Sequence, residues 1–269
     1  MILKLLIMKI WLVFSALFIS LIMITSCKSI KNANMYSVND DKTLGQQVAK
    51  EIDNDQKTYP ILPEAGNERV YQFIREVRDN ILNSGRVQLR SQFTWDIKII
   101  KDDKTLNAFC TPGGHIYVYT GLIKFLDTED ELAGVLAHEI AHADKRHSTR
   151  QMTKMMPLSV IASVIGQKYN QEQIAQVTAG IVGLSFSREH ETEADEWSVN
   201  YLCKTKYNSA GAAGFFKKMQ GKSGSVPVFL STHPSPTNRV QKIESKAASM
   251  GCSRSNTTDT RYATIKSLL

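Results

Sequence analysis

Apolar positions along the chain change period several times, and the changes predict its elements. Helical spacing predicts one helix from a cap at Thr43 to about Lys57 and another from Asn67 to about Leu82. Between Phe93 and Ile100 the period drops to two, with Trp95, Ile97 and Ile99 on one side, which predicts a strand. Pro112-Gly113-Gly114 marks a turn into a second short strand, Ile116 to Tyr119. Thr128 and Glu131 then form a capping-box pattern ahead of Leu132-Ala133-Gly134-Val135-Leu136-Ala137, so a helix starts there and is buried on most sides. Met155–Ile165 and Ile174–Phe186 are apolar but short and interrupted by Ser159, Ser163, Gln176 and Thr178, which predicts core or lid helices rather than membrane spans. Helices near 209–220 and 235–249 complete an α+β, mainly helical fold with a small sheet.

The first apolar run differs in kind. Lys4 and Lys9 precede Ile10–Ile24, about fifteen residues that end at Thr25-Ser26-Cys27, the layout of a secretory leader. Ile24-Thr25-Ser26-Cys27 also looks like a bacterial lipobox, with Cys27 as the lipidated first residue of the mature chain. The alternative is an uncleaved anchor, although the run falls short of the roughly twenty residues that span a bilayer. The expected organisation is a leader at 1–26, a tether at 27–41, a catalytic domain at 42–252 and a tail at 253–269. No Asp follows Cys27, which favours the outer membrane over retention at the inner one.

Charge adds little. The formal net charge of +7 falls to +5 when the leader takes two lysines with it, and no basic run gives a nucleic-acid footprint. An oxidising compartment allows Cys110, Cys203 and Cys252 one disulfide, with Cys203–Cys252 the preferred pair, or three free thiols.

The chemistry concentrates at His138-Glu139-Ile140-Ala141-His142. Residues four apart share a helix face, so both imidazoles point at one ion and Glu139 stands beside them as a general base. This H-E-x-x-H pattern is the signature of zinc peptidases. Two histidines and a glutamate inside an apolar helix need a partner that repays their desolvation, and a metal is one. Ser187-Arg188-Glu189-His190-Glu191-Thr192-Glu193-Ala194-Asp195 reads as a second helix with Glu191 and Asp195 on one face. Glu191 supplies a third ligand, leaving a position for water as catalytic sites do. Asp195 is placed to accept a hydrogen bond from the outer nitrogen of a ligating histidine. Ligand type points to zinc, with manganese and iron as the alternatives.

Taken together, H-E-I-A-H, the S-R-x-x-E-x-E-A-D segment, Asn107-Ala108-Phe109-Cys110-Thr111-Pro112-Gly113-Gly114-His115-Ile116-Tyr117-Val118 and Thr232-His233-Pro234 with Arg239 resemble the HtpX and CAAX prenyl protease type of zinc metallopeptidase, closest to its periplasmic lipoprotein members. The resemblance implies a zincin-like domain with one zinc ion on His138, His142 and Glu191. It implies Glu139 as base, Asp195 as outer acid, and His233 as transition-state donor or occluding fourth ligand. It implies further that Ile116, Tyr117 and Val118 form an edge strand along the cleft where a substrate backbone pairs. Arg239 is expected to hold the His233 loop through an ion pair of unidentified partner, and His115, His147 and His190 are read as residues of the surface or of the layer behind the ligands, with no role assigned. The implied function is an envelope metalloendopeptidase acting on unfolded or misassembled envelope proteins. The alternative is a chaperone-like binding factor with latent peptidase activity.

Overall fold

The computed structural model describes residues 33–157, 161, 165, 170–220, 228–235, 238–252 and 259–269. The leader, Cys27 and the first part of the tether lie outside the described residues, as does most of 158–169. Helix α1 (Val38–Asn54) starts earlier than Thr43 because Ser37 and Asp40 cap it reciprocally. The amide of Asp40 donates to Ser37 Oγ at 3.1 Å, and the amide of Ser37 donates to the Asp40 carboxylate at 2.7 Å. The last expected tether residues are therefore helical. Helix α2 (Glu68–Leu82) buries Val70, Ile74, Val77 and Ile81, a single stripe at helical spacing.

Strand β1 (Ile97–Ile100) is shorter than the alternating pattern suggested. Trp95 sits at φ 54°, in the left-handed region, and the extended run cannot pass through it. Strand β2 (Ala108–Thr111) turns through Pro112–Gly114 into strand β3 (His115–Tyr119). Gly113 and Gly114 take φ of 79° and 86° there, values that a side chain opposes. β3 pairs antiparallel with β2 and parallel with β1, so the order is β1-β3-β2 and β3 is central. Its side chains alternate between two cores. Ile116 and Val118 join the main one, while Tyr117 and Tyr119 join a smaller one with Phe109 and α1.

After the short α3 (Thr120–Phe125), helix α4 (Glu129–Asp144) runs through the main core. Thr128 Oγ1 accepts from the amide of Glu131 at 3.1 Å, and the Glu131 carboxylate reaches back to the amide of Asp127 at 2.7 Å, so the box closes one residue early. Gly134 lets α4 touch α8 (Gly211–Gln220) backbone to backbone, since a Cβ there would lie 2.0 Å from the amide of Ala212. Helices α5 (His147–Met155) and α6 (Gln171–Val182) supply Met152, Ile174 and Ile181 to the smaller core. No helix of the described residues is long and apolar enough to cross a membrane.

Helix α7 (Arg188–Leu202) packs along α4, and α9 (Val228–Thr232) and α10 (Arg239–Ser249) follow. A disulfide joins Cys203, which ends α7, to Cys252, just past α10, and Cys110 is a buried free thiol. Within the segment expected as a tail, helix α11 (Asp259–Lys266) packs on the domain. Tyr262 is fully buried there and donates to the carbonyl of Ile123 at 2.7 Å. Tyr262 is the one aromatic residue of that stretch, and it anchors the helix.

Candidate active site

Two helices bring the site together. α4 presents His138 and His142 on one face, and α7, whose first turn is capped by Ser187, presents Glu191 and Asp195. The Nε2 atoms of His138 and His142 lie 3.0 Å apart, and the Glu191 carboxylate lies 3.4 Å from the first and 3.2 Å from the second. His233 arrives from the end of α9 with Nδ1 3.1 Å from Glu191 Oε1, so four ligand atoms lie within 4.8 Å of one another. Donors held about 2.0–2.2 Å from a tetrahedral zinc ion are themselves separated by about 3.3–3.6 Å. The set therefore fits a divalent ion in type and spacing.

Charge makes the same point. Glu139, Glu191 and Asp195 are buried with a single guanidinium, Arg239, among them. Buried charge costs several kcal/mol per ion, so a cation bound among these carboxylates would offset part of that cost. Arg239 is bound at both ends of the acidic pair. Its Nε donates to Asp195 Oδ2 at 2.7 Å, and its Nη2 lies 2.8 Å from Asp195 Oδ1 and from Glu191 Oε2. These carboxylates are the partners that the sequence left unidentified. Asp195 Oδ1 also lies 3.0 Å from His138 Nδ1, so the outer nitrogen of that imidazole faces an acid.

Glu139 differs from its neighbours. Burial pushes its carboxyl up to about 7, against the pull of His233. One contact to its carboxylate is the amide of Cys110 on β2, while Oε1 makes no hydrogen bond and lies 3.6 Å from His233 Nε2. Burial also works against the charge of Glu191, but the imidazoles of His233, His142 and His138 outweigh it and hold that carboxyl well below the usual range. Burial keeps His142 far below the ordinary histidine value. Aromatic rings close the site: Phe186 packs on His142 at 4.0 Å and Phe229 stacks on His233 at 4.3 Å.

One expectation is corrected. Ile116, Tyr117 and Val118 do not form an edge, because β1 and β2 occupy both sides of β3. The strand that borders the site is β2. Asn107 accepts from the amide of Tyr119 at 3.1 Å, so by antiparallel alternation Phe109 and Thr111 also face β3 while the main-chain groups of Ala108 and Cys110 face the other edge, which carries no strand among the described residues. The contact between Cys110 and Glu139 fits that alternation. The sequence reading placed residues 107–111 only within the family-like segment and assigned no strand there; the short Ala108-Phe109-Cys110-Thr111 run before Pro112 was the available signal. It also gave His147 no role, yet His147 Nδ1 lies 3.0 Å from His142 Nδ1. His115 pairs with Asp96 at 2.6 Å and takes no part in the cluster.

An H-E-x-x-H helix, a second helix returning a glutamate, and a small mixed sheet with one edge alongside them define a zincin-like peptidase domain. The chain belongs to peptidase family M48, which residues 67–247 match. It is similar to Mitochondrial metalloendopeptidase OMA1 of Schizosaccharomyces pombe, with 34% identity over 160 residues, covering 57% of this chain and 47% of that protein. The protein of the same name from Arabidopsis thaliana is 32% identical over 54% of this chain and 30% of its own length. Beta-barrel assembly-enhancing protease of Escherichia coli K12 is 28% identical over 56% of this chain and 34% of that protein. The matched regions thus span between about a third and a half of these relatives.

Proposed function

We propose that this chain is an extracytoplasmic zinc metalloendopeptidase, tethered to the envelope membrane through lipid on Cys27, that cuts unfolded or misassembled envelope proteins. The observation that carries the reading is the buried donor set itself: His138, His142 and Glu191 at tetrahedral spacing, with Glu139 beside them. A zinc ion on these three residues would polarise a scissile carbonyl and make nearby water acidic. Glu139 takes the proton of the attacking water and returns it to the leaving amine. Burial, which raises the Glu139 carboxyl, favours its holding the proton between the two transfers. His233 Nε2, on the Oε1 side of Glu139, is the donor for the developing oxyanion. An extended substrate pairs through the Ala108 main chain with the edge of β2 that carries no strand among the described residues.

The relatives, a mitochondrial metalloendopeptidase and a beta-barrel assembly-enhancing protease, support a role in envelope protein quality control. The disulfide supports an oxidising compartment. The leader at 1–26 and outer-membrane attachment remain part of the proposal. Metal analysis of the purified protein, followed by casein digestion with and without chelator, tests the reading. Stoichiometric zinc and chelator-sensitive cleavage are expected, with cleavage lost but zinc retained in Glu139→Gln. Absence of metal, or full activity in that variant, overturns it.

A second reading has a specific observation behind it. His233 lies within the ligand cluster, and the amide of Phe229 donates to the carbonyl of Leu106 at 3.3 Å, so the His233 segment lies across the start of β2. A site closed in this way belongs to a binding factor with latent activity, or to a peptidase that opens on engaging a client. Rescue of a deletion phenotype by Glu139→Gln would favour the binding role.

A further inference from the structure

The two histidines of α4 have different outer partners. His138 Nδ1 faces Asp195, which Arg239 holds, whereas His142 Nδ1 faces another imidazole, His147 Nδ1, at 3.0 Å. From His147 the chain of contacts continues. Its Nε2 lies 3.3 Å from Glu193 Oε2, and that same oxygen accepts from Arg150 Nη1 at 2.9 Å. His147 is fully buried and lies flat against His190, ring centres 4.5 Å apart and planes 11° apart.

Hydrogen-bond logic fixes the protons along this row. Glu193, salt-bridged to Arg150, accepts and does not donate, so Nε2 of His147 carries a hydrogen. In a neutral ring Nδ1 then holds a lone pair. That lone pair accepts from Nδ1–H of His142, which leaves Nε2 of His142 unprotonated and facing His138 and Glu191. We infer that His147, anchored by Glu193 and Arg150, is a positioning residue that sets the tautomer and ring plane of His142 for metal binding. The inference rests on the proposed metal site and goes beyond it, naming residues that neither touch the ion nor lie in the ligand cluster.

Backbone geometry explains why a helical wheel hides the relationship. Five residues on from His142, a continued helix would turn the side chain about 140° away. Instead α4 ends at Asp144, and Arg146 takes φ 58°, so the chain reverses and α5 begins at His147. Arg146 is tied in that conformation by Asp41 on α1.

The test measures zinc affinity of the full-length protein by chelator competition, together with thermal unfolding of the metal-free form. His147→Phe keeps an aromatic ring and removes the acceptor; affinity is expected to fall about 10–100-fold, the usual cost of losing an outer partner. His147→Asn restores an acceptor near the Nδ1 position and is expected to recover most of that loss. Glu193→Gln provides a second, milder lesion if the Phe variant folds poorly. Nitrogen NMR of the metal-free wild type is expected to show His142 with its proton on Nδ1, moving towards an even tautomer mixture in His147→Phe. Zinc affinity unchanged in both His147→Phe and Glu193→Gln, or His142 protonated on Nε2 in the wild type, overturns the inference. Wild-type protein that binds no zinc would instead overturn the metal site itself, so the two failures are distinguishable.

Discussion

Arg239 and Asp195 meet edge to edge in a region sealed from solvent, with Nε on Oδ2 at 2.7 Å and Nη2 on Oδ1 at 2.8 Å. The guanidinium also lies 3.7 Å from the centre of the Phe216 ring. Its fork geometry is what allows one side chain to serve Asp195 and Glu191 together, and a lysine cannot reproduce it. Arg239→Met leaves two buried carboxylates without their cation. The metal-free protein is expected to lose about 3–5 kcal/mol of unfolding free energy, the cost of breaking one side of a buried pair. Arg239→Lys should recover only part of it. Urea unfolding of the three proteins measures this, and a loss below about 1 kcal/mol in Arg239→Met would mean that the pair does not organise the site.

Much of that arrangement was legible before the fold was known, for a physical reason. His138, Glu139, His142, Glu191 and Asp195 lie on two helices, where spacing alone decides which side chains share a face. What stayed hidden depends on the chain's path between elements. His147 reaches His142 only because Arg146 reverses the backbone, and Arg239 reaches Asp195 from 44 residues away. Strand order was hidden for the same reason. The hydrophobicity of Ile116–Val118 suits an edge strand or a central one, and only the pairing with β1 and β2 separates them. Residues 38–41 read as tether because the stretch is polar, whereas the reciprocal bonds of Ser37 and Asp40 cap a helix that includes them.

The Cys203–Cys252 bridge ties the helix that carries Glu191 and Asp195 to the one that carries Arg239. Its partners are 49 residues apart in sequence, and closing a loop of that size is worth about 4 kcal/mol on the chain-entropy account. Reductant should therefore lower the urea midpoint of the wild type and leave a Cys203→Ala, Cys252→Ala double variant unaffected. Equal response of both proteins would show that the bridge does not contribute.

Acid should loosen α11 before the core. The Glu76 carboxyl is pulled down to about 2 from 4.5 by its hydrogen bonds to Arg261, against slight burial, with Lys206 adding to the effect. A depressed carboxyl stabilises the fold fully above its unfolded value and loses that contribution as pH falls from 4.5 towards 2. Glu76 and Arg261 are each about 40% exposed, so solvent screening holds the pair to about 1 kcal/mol or less. Hydrogen exchange of the α11 amides, corrected for intrinsic rates, should show lower protection at pH 3 than at pH 6 in the wild type. Glu76→Gln should weaken protection at pH 6 and flatten the difference. A variant as pH-sensitive as the wild type would assign the effect elsewhere.

The free edge of β2 gives a prediction that separates substrate binding from folding. The amide of Ala108 faces away from β3, whereas that of Phe109 belongs to the ladder with Tyr117. Proline removes a donor at either place, and sheets tolerate it only where the donor faces outward. Ala108→Pro should therefore fold, while Phe109→Pro should be strongly destabilised because it cuts a bond inside the ladder. If an extended peptide uses the Ala108 amide, losing that bond costs about 0.5–1.5 kcal/mol, a rise of roughly 2–10-fold in KM. The value of kcat should change less, since the substitution removes a main-chain donor and leaves the metal-ligand cluster and Glu139 intact. Circular dichroism melts and peptide-cleavage kinetics on both variants decide the matter. Unchanged KM in a well-folded Ala108→Pro protein would exclude this edge as the peptide groove and return the search to the face of the site that Phe186 and Phe229 cover.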